Sequence, residues 1–376
     1  MTTTTPRYTA TILVLILLFI GTGFLARAYR TERQARAEHQ FAVGQQLNRA
    51  GRKNVALAHY RTALQIEPGN PRYELALALV LVDLGHLGEA ESHLQELLQQ
   101  DPTNGLLNLT MARVAVREGR VDSAVTYYHR AIYGLWPEKP NTNRIDTRLE
   151  LIAYLAKTGS RQQRIAELVQ LRSELPVDPA LKQRVAGLFM AAGSPQDAAG
   201  LYRELTQAKP SNAEAWAGLG EAEFELADYQ AAQAAFRRAA TYHAKDPNLA
   251  VRLAWVNEYL SLDPTWDRLA AIERARRIRR LVGLTLAALN SCLDRHDAAI
   301  PDAVQTLANQ AGTLLDSRRR VRNPVQAADG ELSLTEQLWR AKQSLCPEPA
   351  GADTPLAALL DRLTRPPLER AQSRTH

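Results

Sequence analysis

The chain has 376 residues, 23% charged and 45% hydrophobic, with a formal net charge of +6. That balance excludes an intrinsically disordered chain. So small a charge on so long a chain also disfavours a strongly basic nucleic-acid binder, which needs cations crowded on one face. Aromatics are only 6%, and Ala, Leu, Gln, Glu and Arg are abundant. These are helix formers, so an all-α fold is expected.

Residues 1–8 read as a short tail. Ala10 to Ala26, ATILVLILLFIGTGFLA, is uncharged and nearly all apolar. With Tyr8, Thr9, Arg27 and Ala28 it reaches the ~20 residues that span a bilayer, with Tyr and Arg at the edges. Residues 9–28 are therefore expected to form a transmembrane helix, which makes the membrane one partner. A signal peptide is the alternative, since Ala26-Arg27-Ala28 resembles a small-x-small cleavage site. No Cys follows the apolar run, which excludes a lipoprotein anchor. Arg27, Arg30, Arg33 and Arg36 follow the span and only Arg7 precedes it. The positive-inside tendency would put the body in the cytoplasm. The cleavage-like site and the sparing use of cysteine pull toward export. A bacterial-type inner membrane is expected, with the side open and a lean to the periplasm.

From Leu47 to Asn70 runs LNRAGRKNVALAHYRTALQIEPGN, and its landmarks return every 34 residues. Gly51 maps to Gly85 and Gly119; Ala56 to Ala90 and Ala124; Tyr60 to Leu94 and Tyr128; Ala63 to Leu97 and Ala131. Pro68 maps to Pro102, and the next step lands on Trp136 beside Pro137. Upstream, Gly44 maps to Ala78 and Ala112. LWPEKPNTNR, Leu135 to Arg144, interrupts the series and reads as a loop. The period resumes with Gly159 and Gly193, then Ala198, Tyr202 and Pro210. Trp216, Leu219, Gly220, Ala232, Phe236 and Ala239 follow in the same columns. Copies are read at 37–138, an insertion with a degenerate copy at 139–178, and two more at 179–246. Small residues, Gly44 with Ala56 and Gly220 with Ala232, are expected where two antiparallel helices approach. Gly51, Gly85 and Gly119 end first helices, Asn54 and Asp122 cap second helices, and Ser194-Pro195 opens another. Pro68, Pro102 and Pro210 stop the second helices.

These columns resemble the tetratricopeptide repeat (TPR) family, whose pattern is Trp, Leu-Gly, Gly, Ala, an aromatic, Ala and Pro over about 34 residues. The resemblance implies a right-handed α-solenoid of helix-turn-helix hairpins, each burying its apolar face on the next. It implies a non-catalytic scaffold for protein–protein interaction or complex assembly, with the guest on the concave, first-helix face. The family's groove columns fall on Phe41, Gln45, Leu75, Leu79, Val82, Leu106, Leu109, Arg113, Val116 and Arg117. An amphipathic or apolar peptide with acidic flanks suits that lining; cover by another part of the chain is the competing reading. One subset of the family clamps chaperone C-termini. Its columns fall on Phe41, Gln45, Ala76, Leu106 and Thr110, which make poor carboxylate donors.

Beyond Asp246 the columns fade, and residues 247–364 read as an enlarged helical cap, with a flexible tail at 365–376. A helix is expected from Asn248 to Ser261. A long amphipathic one should start at Asp263-Pro264, reach Asp294 and break near Gly283. Shorter helices are expected at Asp302–Ser317, Leu332–Cys346 and Pro355–Leu363, with NPVQAADGE and CPEPAGADTP as loops. Cys292 and Cys346 lie near helix ends, where a disulfide is conceivable. Arg268, Arg274, Arg276, Arg277, Arg279 and Arg280, and the run Arg318, Arg319, Arg320 and Arg322, offer an alternative function in binding an anionic nucleic acid or lipid.

No phosphate-binding loop, HExxH or GxSxG is present, so neither catalysis nor a cofactor is expected. A cryptic enzyme in the C-terminal third is the remaining alternative. His59, His93 and His129 recur by periodicity, and neither they nor the two cysteines suggest a metal set. Glu221, Glu223 and Glu225 read as a solvated helix face. Asn108-Leu109-Thr110 is a glycosylation sequon by letter, inside a core helix.

Overall fold

The computed structural model describes residues 5–242, 247–266, 269–294, 300–316, 324–347 and 354–365, without the side chains of 5–12, 14 and 324–326. Among the described residues all regular structure is helical, apart from one isolated bridge between Asn104 and Leu135. The chain divides into two compact units, Met1–Glu174 and Leu175–His376.

The first unit holds α1 (Thr5–Arg49), α2 (Lys53–Ile66), α3 (Pro71–Leu84), α4 (Leu87–Gln100), α5 (Gly105–Arg117), α6 (Val121–Ile132), α7 (Pro140–Thr158) and α8 (Arg161–Ser173). Each helix packs on the next in chain order, and α3 also meets α5, the first helix of the following hairpin. The signals that set these lengths are local. Asn70 and Asn104 accept backbone N–H bonds at the starts of α3 and α5, satisfying donors the helix leaves open. Gly85 ends α3 at φ +83, and its N–H reaches the carbonyls of Leu81 and Val82. That left-handed step is strained for a residue with a Cβ.

The second helices begin differently from expectation. Their starts follow Arg52, His86 and Arg120 with no side-chain cap. Asn54 and Asp122 lie one residue inside the helices. The left-handed glycine turns the chain so tightly that the carbonyls of Arg52 and Arg120 already accept from Ala56 and Ala124. Ser194 does precede its helix, but its hydroxyl donates to Asp197 instead of capping the backbone.

The interior is built from the repeat columns. Phe41, Tyr60, Tyr73, Leu77, Leu81 and Leu94 are buried together with Ala56, Ala63 and Ala90. A Cβ on Gly44 would lie 2.7 Å from the Tyr60 ring. The small first-helix residue therefore makes room for the second helix's aromatic ring, and Ala56 is not its nearest partner. A second cluster gathers Leu109, Tyr128, Ile132, Leu151 and Leu155.

The interruption at Leu135–Arg144 is only half a loop. The Leu135 N–H donates to the Thr103 carbonyl at 2.7 Å, and the Gly105 N–H donates to the Leu135 carbonyl at 2.9 Å. Trp136 lies on Gly105, where a Cβ would meet it at 2.3 Å. Pro140 then opens α7, because proline costs nothing at a first helical position.

Among the described residues no helix is long and apolar enough to cross a membrane. In the expected span 9–28 the side chains of 9–12 and 14 lie outside the described residues. In the rest of it Leu13, Phe19 and Phe24 are 60%, 80% and 72% exposed. The helix is continuous: α1 carries this stretch into the first hairpin without a break.

The second unit holds α9 (Pro179–Ala191), α10 (Pro195–Ala208), α11 (Ala213–Glu225), α12 (Tyr229–Tyr242), α13 (Pro247–Leu262), α14 (Ala271–Leu293), α15 (Asp302–Asp316), α16 (Pro324–Leu345) and α17 (Pro355–Thr364). From α9 to α13 the helices pack in chain order; α14 then packs on α15 and α16, and α17 returns to α13. Gly220 gives way to the Phe236 ring and Gly218 to the Tyr202 ring, a Cβ at either falling 2.4 Å from it.

Three C-terminal expectations need correction. The long helix α14 starts at Ala271, not at Asp263-Pro264. Asp263 is held by Arg362 at 2.7 Å and accepts from the Thr265 N–H and hydroxyl, which closes a local turn. Gly283 does not break α14; hydrogen bonds to a helix backbone outweigh the ~1 kcal/mol a glycine costs inside it. And α16 starts at Pro324, so most of NPVQAADGE is its first turns. Cys292 and Cys346 are joined by a disulfide, Cα atoms 6.0 Å apart, tying α14 to the end of α16. The repeat boundary at Asp246, the loop core 348–353, the tail beyond 365, Arg268 and the run Arg318, Arg319, Arg320 and Arg322 lie outside the described residues.

Candidate functional site

The groove columns separate into two groups. Phe41, Val82 and Leu109 are buried at 2%, 5% and 7% exposure and belong to the hairpin interior. Phe41 meets Tyr60 and Tyr73, and the Arg72 guanidinium lies 4.6 Å over its ring. These three are taken by their own chain and offer nothing to a guest. Gln45, Leu75, Leu79, Leu106 and Val116 stay half-buried on α1, α3 and α5. A helix of this kind turns its widest apolar stripe to the core. Residues at the stripe's edge are therefore left part-exposed, and pattern alone does not separate the edge from the centre.

The two arginines are exposed but engaged. Arg113 makes a two-pronged pair with Glu150 on α7, at 3.0 and 2.8 Å. Tyr128 donates to the same carboxylate at 2.9 Å. Burial pushes Glu150 up, but the Arg113 bond and charge, helped by Tyr128, hold its carboxyl below the usual range. Burial and the same anion push the Tyr128 hydroxyl up. Arg117 donates to the Val82 carbonyl, across to α3. Thr110, a clamp column, is buried and spends its hydroxyl on the Leu106 carbonyl.

Ion pairs between neighbouring helices follow the repeat. Glu38 accepts from Arg72 and from Tyr73, whose hydroxyl is pushed up to about 12 by burial and by that carboxylate. Arg61 pairs with Glu89, and Arg120 with Glu91. Glu223 and Glu221 are not a free acidic face: they pair with Arg203 and Arg252. Their residue types were visible in the sequence; the repeat period, placing Glu38 and Arg72 in equivalent columns, was the available clue to the pairing. The buried Arg148, held by Glu167 and Glu174, gave no such signal. Nor did the stack of Phe224, Tyr229, Trp255 and Tyr259 in the second unit.

The histidines do not converge. His59 contacts Gln40, His93 contacts Glu74, and His129 contacts Glu167. Asn108 is buried and its amide donates to the carbonyls of Pro102 and Asn104. In the Arg-rich helix, Arg276 and Arg277 pair with Glu273. Arg277 also donates to the Leu260 and Asp263 carbonyls, and Arg279 to that of Leu314. Arg277 and Arg279 thus tie α14 to its neighbours, while Arg274, Arg276 and Arg280 are exposed on α14.

Helical hairpins of this length, turned by positive-φ glycines and filled by an alanine–aromatic column, can be set beside known proteins. Residues 81–133 and 189–255 match a family model described as tetratricopeptide repeat. These segments are similar to tetratricopeptide repeats (TPR). The TPR match covers less than half of the chain, and no curated protein matches it. Solved structures align as well. PilW, described as a widely conserved type IV pilus biogenesis factor, is 19% identical over 58% of this chain and 98% of its own, with TM-score 0.36. Pseudomonas aeruginosa pilF is 15% identical over 59% and 99%, with TM-score 0.38. The C-terminal part of a TPR repeat-containing protein from Cytophaga hutchinsonii is 12% identical over 78% and 99%, with TM-score 0.41. At such identities and scores nothing of their biology carries over.

Proposed function

We propose that this chain is a membrane-anchored, non-catalytic TPR scaffold that holds another protein against its first helices. The observation that carries the reading is the packing of TPR hairpins in chain order, with Leu75, Leu79, Leu106 and Val116 left part-exposed on α3 and α5. A continuous interior uses most apolar side chains; those left over on one helix set suit an amphipathic or extended apolar segment. The titratable groups of the site are paired: Tyr73 donates to Glu38, and Tyr128 and Arg113 donate to Glu150. Pairing of this kind stabilises helices and leaves no general base poised for chemistry.

Anchoring is supported by the exposed apolar stretch of α1, whose large side chains have no place in a water-facing helix. Export of the body is supported by the Cys292–Cys346 bond, since disulfides persist in oxidising compartments. The arginines after the stretch argue the other way. Trapping thiols with an alkylating agent in intact cells and comparing reduced with non-reduced gels decides it: a bonded pair is expected, and two free thiols would place the body in a reducing compartment.

The binding reading is tested by crosslinking and affinity purification of the full chain against the Leu75→Glu/Leu79→Glu variant. A specific co-purifying protein should disappear in the variant while helical circular dichroism is unchanged. An identical set of captured proteins rejects the surface.

A further inference from the structure

Glu74 on α3 and His93 and Glu96 on α4 present one carboxylate oxygen each and one imidazole nitrogen, all within 4.8 Å of one another. His93 and Glu96 are three residues apart, so they share a helix face. Glu74 lies across the hairpin from both. Its side chain is 5% exposed, His93 is 24% exposed, and Glu96 is on the surface. The arrangement is a buried carboxylate at the floor, an imidazole at the wall and an exposed carboxylate at the mouth.

The charges do not balance. The partners of the Glu74 carboxylate among the described residues are His93 and Glu96, and no Lys or Arg pairs with it. A neutral imidazole leaves two adjacent anions, one of them out of water, which is costly without a cation. Burial pushes the Glu74 carboxyl up, and Glu96 pushes the same way, against the pull of His93.

The spacing fits a metal ion. Zn–N and Zn–O bonds of about 2.0–2.2 Å put two donors of a tetrahedral site about 3.3 Å apart. The His93 Nδ1 and Glu74 Oε1 are already 3.2 Å apart. Glu96, already within 4.8 Å of both, would supply the third ligand, and a water would complete four. Imidazole with carboxylates suits Zn²⁺ and its neighbours in the first transition row better than Mg²⁺ or Ca²⁺, which take all-oxygen shells.

We propose that Glu74, His93 and Glu96 bind one divalent transition-metal ion, of which Zn²⁺ is the type, clamping α3 to α4. Such an ion would stiffen the hairpin that carries Leu75 and Leu79. The inference stands whether or not that surface binds a guest.

The test is titration of the full chain in detergent with Zn²⁺, followed by calorimetry and by thermal unfolding, with Co²⁺ absorption reporting geometry. One ion should bind per chain and raise Tm. Glu96→Gln, at an exposed position that does not threaten folding, and His93→Gln should each weaken binding at least about tenfold. His129→Gln, on a different pair, should leave it unchanged. No saturable binding, or binding of equal strength in Glu96→Gln, overturns the site. The second result would mean that scattered surface groups take up the ion.

Discussion

At the level of single residues, backbone conformation and charge make sharp predictions. Ala227 occupies the column that Gly51, Gly85, Gly119, Gly159 and Gly193 fill, and it adopts φ +59. A left-handed alanine is strained where glycine is not. Ala227→Gly is expected to stabilise the second unit by about 0.5–1 kcal/mol in chemical denaturation, and a destabilised variant would refute the strain. Glu150 makes a pH prediction. Its folded carboxyl is held below the ordinary value, so its stabilisation is present above the unfolded pKa of about 4 and fades as pH falls through the folded one. Glu150→Gln should flatten the acid limb of the first unit's stability curve. Glu221 and Glu331 shift the other way through burial, so each favours folding more as pH falls. At this scale the sequence was legible for turns and poorly legible for caps and grooves. A glycine that must turn left announces itself, as at Gly85. Whether Phe41 faces a guest or Tyr73 depends on how deeply one helix sinks between its neighbours, and hydrophobicity says the same in both cases.

Elements show how the columns work together. Gly220 and Phe236 belong to α11 and α12, and the ring occupies the space a side chain would need. Phe236 is 1% exposed and has no freedom to retreat. Gly220→Ala should therefore cost about 1–3 kcal/mol of overpacking; a neutral effect in urea unfolding would mean the helices separate easily. The Cys292–Cys346 bond closes a loop with a sequence separation of 54. Chain entropy gives such a crosslink about 4 kcal/mol, and strain reduces it in practice. Reduction is expected to lower stability by about 2–4 kcal/mol and to speed amide exchange in α14 and α16, leaving α1–α8 unchanged. Helix existence was legible from the 34-residue period, because each copy repeats the same stop and turn signals. The starts of α14 and α16 were not. Asp263-Pro264 has the letters of a helix start, yet Arg362, distant in sequence, claims the aspartate.

For the whole molecule, the 45-residue α1 joins an exposed apolar stretch to the first helical hairpin. Arg33, just beyond that stretch, donates to the Ile66 carbonyl at the end of α2. The basic flank is thus also part of the hairpin, and the apolar stretch runs into it on one continuous helix. Deleting residues 1–28 should leave the fold intact, since among the described side chains those that α1 buries begin at Ala37. The truncated chain should move from the carbonate-resistant membrane fraction to the supernatant. The repeat class was readable from the sequence because it is a periodic pattern. The guest was not, because its recognition depends on which few side chains the packing leaves uncovered.

The central claim, that a guest chain lies along the first helices, is met most directly by a photo-crosslinking amino acid placed at Leu79 on α3 and, in a matched strain, at exposed Gln65 on α2. The account predicts a discrete crosslinked protein from Leu79 and none from Gln65. Equal labelling at both positions, or labelling only at Gln65, would contradict it.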